Sequence, residues 1–318
     1  MAKLYYTADD LIDSIRRKHQ LPINKNTFDV TDYLKMADEE ISLSLLPSII
    51  RQHENYFLHN LTQPIVTNQS HYKIPYRAAG NKLKDLTYID TANNYIEMVR
   101  IPIEHISDYN GSSYNVSSQI NYYILNDEIV LFPENVRNPV GKLMFTFYLK
   151  PNQLVPLNKV GKIDAIDTTN KTITLANLPT EFTSSLLYDF VDVESPHRTL
   201  DFDVPIVSIN VTTKQIQFNT TYEFPKRLKV GDHICIQCET AIPQIPDDLH
   251  PMLAHKVAMA ALESLGDTEG LSNASTKYNE LQTNMTTLVD NRVEGSPQKL
   301  VNRNSFLRRA NYRRRNGR

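Results

Sequence analysis

No stretch of this chain approaches the roughly 18 uninterrupted apolar residues that a membrane span needs, and the N-terminal MAKLYYTADD has no apolar segment of the signal-peptide kind. Synthesis in the cytoplasm and no membrane contact are therefore expected. Cysteine is nearly absent: Cys235 and Cys238 are the only 2, too few for a disulfide framework or a four-ligand zinc site. Three apart in the apparent strand HICIQC, they fall on opposite faces and read as plain reduced thiols. Phosphate-cradling motifs are missing as well, since neither GxGxxG nor GxxxxGK[ST] occurs. The 9 histidines include no HxH or HExxH pair, and the offsets His53/His59 and His250/His255 do not bring two rings to one side of a helix. No metal and no cofactor are expected.

What remains is an ordinary globular composition. Of 318 residues, 41% are hydrophobic and 22% charged, enough chain for about two domains at about 100–200 residues each. The formal net charge of -2 is the sum of two unlike parts. Residues 292–318 hold 9 basic residues against the single acid Glu294, 9 − 1 = +8, which leaves −2 − 8 = −10 for residues 1–291. Within that tail Arg303, Arg308, Arg309, Arg313, Arg314, Arg315 and Arg318 surround Tyr312. Such a density of arginine attracts phosphate. It equally suits an arm that docks on an acidic protein, or a solubilising tail. The acidic remainder opposes DNA binding over the whole surface and favours a passage to which DNA does not stick.

Periodicity divides the chain further. Thr7 with Asp10 is a capping-box-like start, and Leu11, Ile12 and Ile15 make the apolar stripe of a helix ending near His19. After QLPINKN, Asp29 and Asp32 open a second helix with Tyr33, Ala37, Ile41 and Leu45 on one face. Pro47 has no N–H for the carbonyl of Leu43, which predicts a kink or a new helix there, continuing through Ile49, Ile50, Tyr56 and Phe57 to near His59. From Gln63 the pattern alternates. A hairpin is expected at Asn126-Asp127, and Arg77 to Gly80 reads as a loop. A second strand-rich block at 155–240, with a turn at Thr169-Asn170, fits a small barrel or sandwich inserted into the rest. Helix then returns: Pro251 is tolerated in its first turn, Leu249, Met252, Leu253, Val257, Ala260, Ala261 and Leu265 line a face, and Gly266 ends it. The last helix carries a heptad seam of Leu271, Ala274, Tyr278, Leu281, Met285 and Leu288, read as packing within its own bundle.

The expected fold class is α+β. A helical bundle comes from residues 1–62 and 241–291, a β-rich segment of the same domain from 63–154, a barrel-like or sandwich-like insertion from 155–240, and a basic arm from 292–318. Two short patterns could carry chemistry. Asp201 and Asp203 in LDFDVP would share a strand face as a carboxylate dyad does, and Ser195-Pro196-His197 sets a hydroxyl beside an imidazole. Neither spacing demands catalysis, so a solvated loop is the default reading and no enzyme is expected. A virion-associated hydrolase using Asp201, Asp203 or His197 stays open as an alternative, and so does a nucleic-acid-binding module acting through the arm.

The order of elements carries a resemblance. Helices up to His59, the segment HYKIPYRAAGNKLKDLTYID, the helix start IPDDLHPML, a small-residue helix leading into LGD, and a heptad helix with a basic extension resemble the head-to-tail connector (adaptor or ring) proteins of tailed bacteriophages, of podovirus type and crAss-like phages. The resemblance implies a structural virion protein at the head–tail interface: a dodecameric ring of this chain between portal and tail, surrounding the genomic double-stranded DNA as it passes. Its implied partners are further copies of itself, the portal protein, and other tail or ring proteins. The seven arm arginines named above would contact portal or DNA, and the inserted strands a tail or ring component.

Overall fold

The structure, a computed structural model, describes residues 6–19, 28–66, 68–106, 120–132 and 141–289. Helix α1 spans Ala8–His19. Its start is the reciprocal cap expected there: the Thr7 N–H donates to Asp10 Oδ2 at 2.9 Å and the Asp10 N–H to Thr7 Oγ1 at 3.3 Å. Helix α2, Val30–Glu40, begins the same way, with Asp29 and Asp32 exchanging bonds of 3.1 and 2.9 Å. It runs through a π turn at Ile41–Leu45 into α3, Leu46–Gln52. The wider turn ends at Leu45, and Pro47 lies in the first turn of α3, so a new helical segment opens at the proline as expected.

The helix does not reach His59. It stops at Gln52, and Leu58–Pro64 forms strand β1. The reason is a remote partner: β1 pairs antiparallel with β7, Lys142–Leu149, from Leu58 opposite Tyr148 to Pro64 opposite Lys142. Strands β3, Ala78–Ile89, and β4, Tyr95–Glu97, complete a sheet of order β1-β7-β3-β4. The segment expected as a loop after Arg77 instead opens β3, with Gly80 at φ +63 and Asn81 at φ +53 forming a bulge that shifts its register on β7. A three-stranded sheet of β2, His71–Lys73, β5, Asn121–Leu125, and β6, Glu128–Phe132, lies alongside. Its hairpin turns at Asn126-Asp127, with Asn126 at φ 54. Leu86, Ile129, Leu131, Leu143, Phe145 and Phe147 are the buried centre of this region.

The chain enters the second strand-rich block through β8, Gln153–Leu154, and leaves through β16, Glu239–Thr240, and these two pair in parallel. The two ends of the block thus lie side by side. Between them lie β9 (Gly161–Asp167), β10 (Thr172–Leu175), β11 (Leu187–Val191), β12 (Thr199–Pro205), β13 (Ser208–Asn210), β14 (Gln215–Gln217) and β15 (His233–Ile236). They form one sheet of order β12-β11-β15-β9-β10-β14-β13. The sheet is not a closed barrel, since its ladder ends at β12 and β13. Only Ile206 and Val207 link those two edges, so the edges approach within roughly 10 Å of chain and the sheet curls around Tyr188, Phe190, Ile216, Phe218 and Ile234.

Helices α4, His250–Leu265, and α5, Thr268–Val289, close the described chain. Pro251 lies in the first turn of α4 and Gly266 caps its end at φ 73. The five α-helices among the described residues share one core built on Leu11, Ile15, Tyr33, Leu34, Ile49, Leu253, Val257 and Ala258. Of the seam residues, Ala274 is buried in this core and Leu271, Tyr278 and Leu281 pack against it. The side chains of Met285 and Leu288, and the whole arm from Arg303 to Arg318, lie outside the described residues. Lys256 on α4 pairs with Glu40 of α2 at 3.0 Å and sits 4.9 Å from the Tyr278 ring of α5, tying three helices together. The architecture is α+β. Among the described residues no helix is long and apolar enough to cross a membrane.

Candidate functional site

The most concentrated polar chemistry lies where the second strand-rich block meets the rest of the chain, and its centre is Arg77. The residue precedes β3, is 3% exposed, and reaches Asp189 on β11 with both carboxylate oxygens 2.8 Å from Nη2. Nη1 donates to Asn152 Oδ1 at 2.8 Å, and Nε donates to the Tyr76 hydroxyl at 2.9 Å. Asp203 accepts from Tyr76 at 2.5 Å, from Arg77 at 3.0 Å and from Gln237 at 2.8 Å. Asp189 is fully buried and accepts further bonds from Asn152 Nδ2 and from the backbone N–H groups of Asp203 and Cys238. The Phe202 ring packs 5.4 Å from the guanidinium carbon.

Electrostatics follow from this geometry. Burial pushes the Asp189 carboxyl above the usual range, opposed by the Arg77 guanidinium and the surrounding donors. Burial also works to raise Asp203, but hydrogen bonds from Tyr76, Arg77 and Gln237 outweigh it and hold that carboxyl below its ordinary value. Arg77, although buried, is held more firmly protonated by Asp189. A buried guanidinium bonded through all three nitrogens holds the strand-rich block against the segment before β3, because any other position leaves a desolvated charge unpaired.

A second cluster lies across the same junction. His197, in the loop between β11 and β12, places Nε2 2.5 Å from Asp247 Oδ1. Its ring stacks on that of His250 with centroids 5.9 Å apart, and His250 stacks in turn on Tyr6 at 4.7 Å. Gln244 braces the loop by accepting from the Asn152 N–H and donating to the Thr199 hydroxyl and the His197 carbonyl. Burial, with His197 close by, pushes His250 down to about 4, so it is a neutral imidazole at pH 7.

The structure parts the two carboxylates of LDFDVP. Asp201 accepts from the Tyr222 hydroxyl at 2.7 Å and Asp203 faces Arg77, so they form no dyad. Strand alternation fails between them because β12 bulges against β11 and Asp203 adopts φ 61. The ring of His197 is taken by Asp247. Cys235 is buried in β15, whereas Cys238 lies beyond that strand at φ 66; the alternation argument therefore applied to only one of them. Arg77, Asp189 and Asn152 carried no signal in the sequence, since nothing local marks residues that meet across the fold. His197 and His250, which no local spacing relates, meet from separate elements. No protein-family model matches the chain, and no curated protein matches it.

A cavity of about 400 Å³ opens beside the Arg77 node, lined among others by Lys35, Asp38, Lys150 and Cys238. Asp38 accepts the Leu154 N–H at 2.9 Å through Oδ1, while its buried Oδ2 has no partner. Burial pushes its carboxyl up to about 7. The folded state therefore holds this proton more tightly than the unfolded chain, so Asp38 withdraws stability as pH rises from about 4 to about 7. Asp38→Asn keeps the Leu154 acceptor and removes the charge. Thermal melts from pH 4 to pH 8 are expected to show the variant gaining on the parent through that interval; parallel curves would refute the assignment.

Proposed function

We propose that this chain is a structural subunit of a phage head-to-tail connector, assembling as a ring, dodecameric by resemblance, between portal and tail at the virion's head–tail interface. The observation that carries the reading is the Arg77 node. The junction's strongest polar groups are spent on holding the strand-rich block at 155–240 against the rest of the chain, as a rigid building block needs. In this reading 1–62 and 241–291 form the subunit's helical bundle, 63–154 extends it, and 155–240 is a barrel-like insertion reaching a tail or ring component. The segregation of charge, −10 over residues 1–291 and +8 over 292–318, supports an acidic ring with a basic arm toward portal or DNA.

Negative-stain microscopy and mass photometry of the chain mixed with portal protein test this reading. Rings are expected, and a protein that never forms them and is missing from purified virions would sink it. The arm's arginine density favours one second reading, a nucleic-acid-binding module. Truncation after Leu300 separates the two: loss of portal binding assigns the arm to protein. Loss of a duplex-DNA affinity that also falls steeply with added salt assigns it to nucleic acid.

A further inference from the structure

We infer that His197, Asp247 and His250 form a binding site for a divalent transition metal of the zinc class, bridging the 155–240 block and the start of α4. One ligand atom from each residue lies within 4.8 Å of the others. The donor set is two imidazoles and one carboxylate, which selects zinc, cobalt or nickel over magnesium and calcium, whose preferred ligands are oxygens. Three protein ligands leave a fourth tetrahedral position for water, and Asp247, with a half-exposed side chain, stands on the solvent side.

Two features of the rings suit ligation. First, His197 is 1% exposed and presents Nε2 to Asp247, so an ion there would displace the proton they share and leave the remaining ring proton on Nδ1, in a ring already held in place by burial. Second, His250 is 2% exposed and places Nε2 3.3 Å from the Pro243 carbonyl, the kind of outer hydrogen bond that orients a ligating imidazole through its opposite nitrogen.

The geometry needs a small adjustment. Tetrahedral ligands with bonds of about 2.0–2.1 Å sit roughly 3.3 Å apart, so the 2.5 Å contact between His197 and Asp247 opens while the wider separations close. Asp247 is the exposed member and lies in the short turn at Asp247–Leu249, before α4, so it is the group free to move. Bound metal would join His197 of the strand-rich block to Asp247 and His250 of the helical part, beside the Arg77 node but through different residues.

The test uses the full chain, freed of metal by chelator, titrated with zinc by calorimetry and with cobalt by visible absorption. One equivalent is expected, with intense tetrahedral cobalt bands, a rise in melting temperature, and no response to magnesium. Asp247→Asn, at an exposed position, should keep the fold by circular dichroism and weaken zinc binding at least about tenfold. His250→Gln should abolish the cobalt bands. No binding by the parent chain overturns the site, and so does binding that is unchanged in Asp247→Asn, which would place the ion on other histidines. This site stands apart from the connector reading, since ring assembly and metal binding are read out separately.

Discussion

Arg77→Met is expected to lower stability by about 3–5 kcal/mol in urea denaturation, because it strands the Asp189 carboxylate in a fully buried position. The side-chain volume is nearly kept, so the loss reports the charge and its hydrogen bonds rather than a cavity. The double variant Arg77→Met/Asp189→Leu removes both charges together and should recover part of the loss, the remainder being the Asn152, Asp203 and Cys238 donors that Asp189 no longer satisfies. A double variant no more stable than the single would mean that the node's value lies in Asn152, Asp203 and Tyr76 rather than in the ion pair.

Phe190→Ala is the second large effect. Phe190 is 0% exposed and sits in β11 among Phe218 and Phe224, at ring-centroid separations of 5.7 and 6.5 Å. Truncating it should cost about 3–5 kcal/mol through lost burial and the cavity left behind. Asp189, one residue earlier on the same strand, is the acceptor of Arg77, so the damaged core and the clamp are directly connected. With Arg77 intact, the strand-rich block and the helical core should melt in one cooperative transition. In the background of Arg77→Met the same truncation should split the melt into two transitions, seen by calorimetry. A single transition in both backgrounds would show that the β8–β16 pairing and the Gln244 bridge couple the modules without the guanidinium.

Both effects concern residues that no local pattern marks as functional. Chain-local features were legible throughout: the Thr7/Asp10 and Asp29/Asp32 caps, the turn at Asn126-Asp127, Pro251 in a first turn and Gly266 at a helix end. Each involves groups within a few residues of one another, so the backbone conformation follows from the side chains present. Errors came where a distant strand decided the outcome. Tyr56 and Phe57 continue a helical stripe, but the segment that follows is captured as β1 by the row from Lys142 to Tyr148. Asp201 and Asp203 should share a face by alternation, but the bulge against β11 turns Asp203 toward Arg77.

By itself the sequence determined an α+β chain whose helices flank its strands, with an acidic body, a basic arm and no motif of a known catalytic class. Which polar residues matter follows from contacts between distant parts of the chain. Arg77 and Asp189 are 112 positions apart and His197 and Asp247 are 50 apart. Periodicity and capping act over a turn or two of chain, whereas a buried charge or a metal-ligand set is defined by whatever the fold brings within about 3 Å. That proximity is set by how the sheets curl and where β8 and β16 return the chain, and no local pattern encodes it.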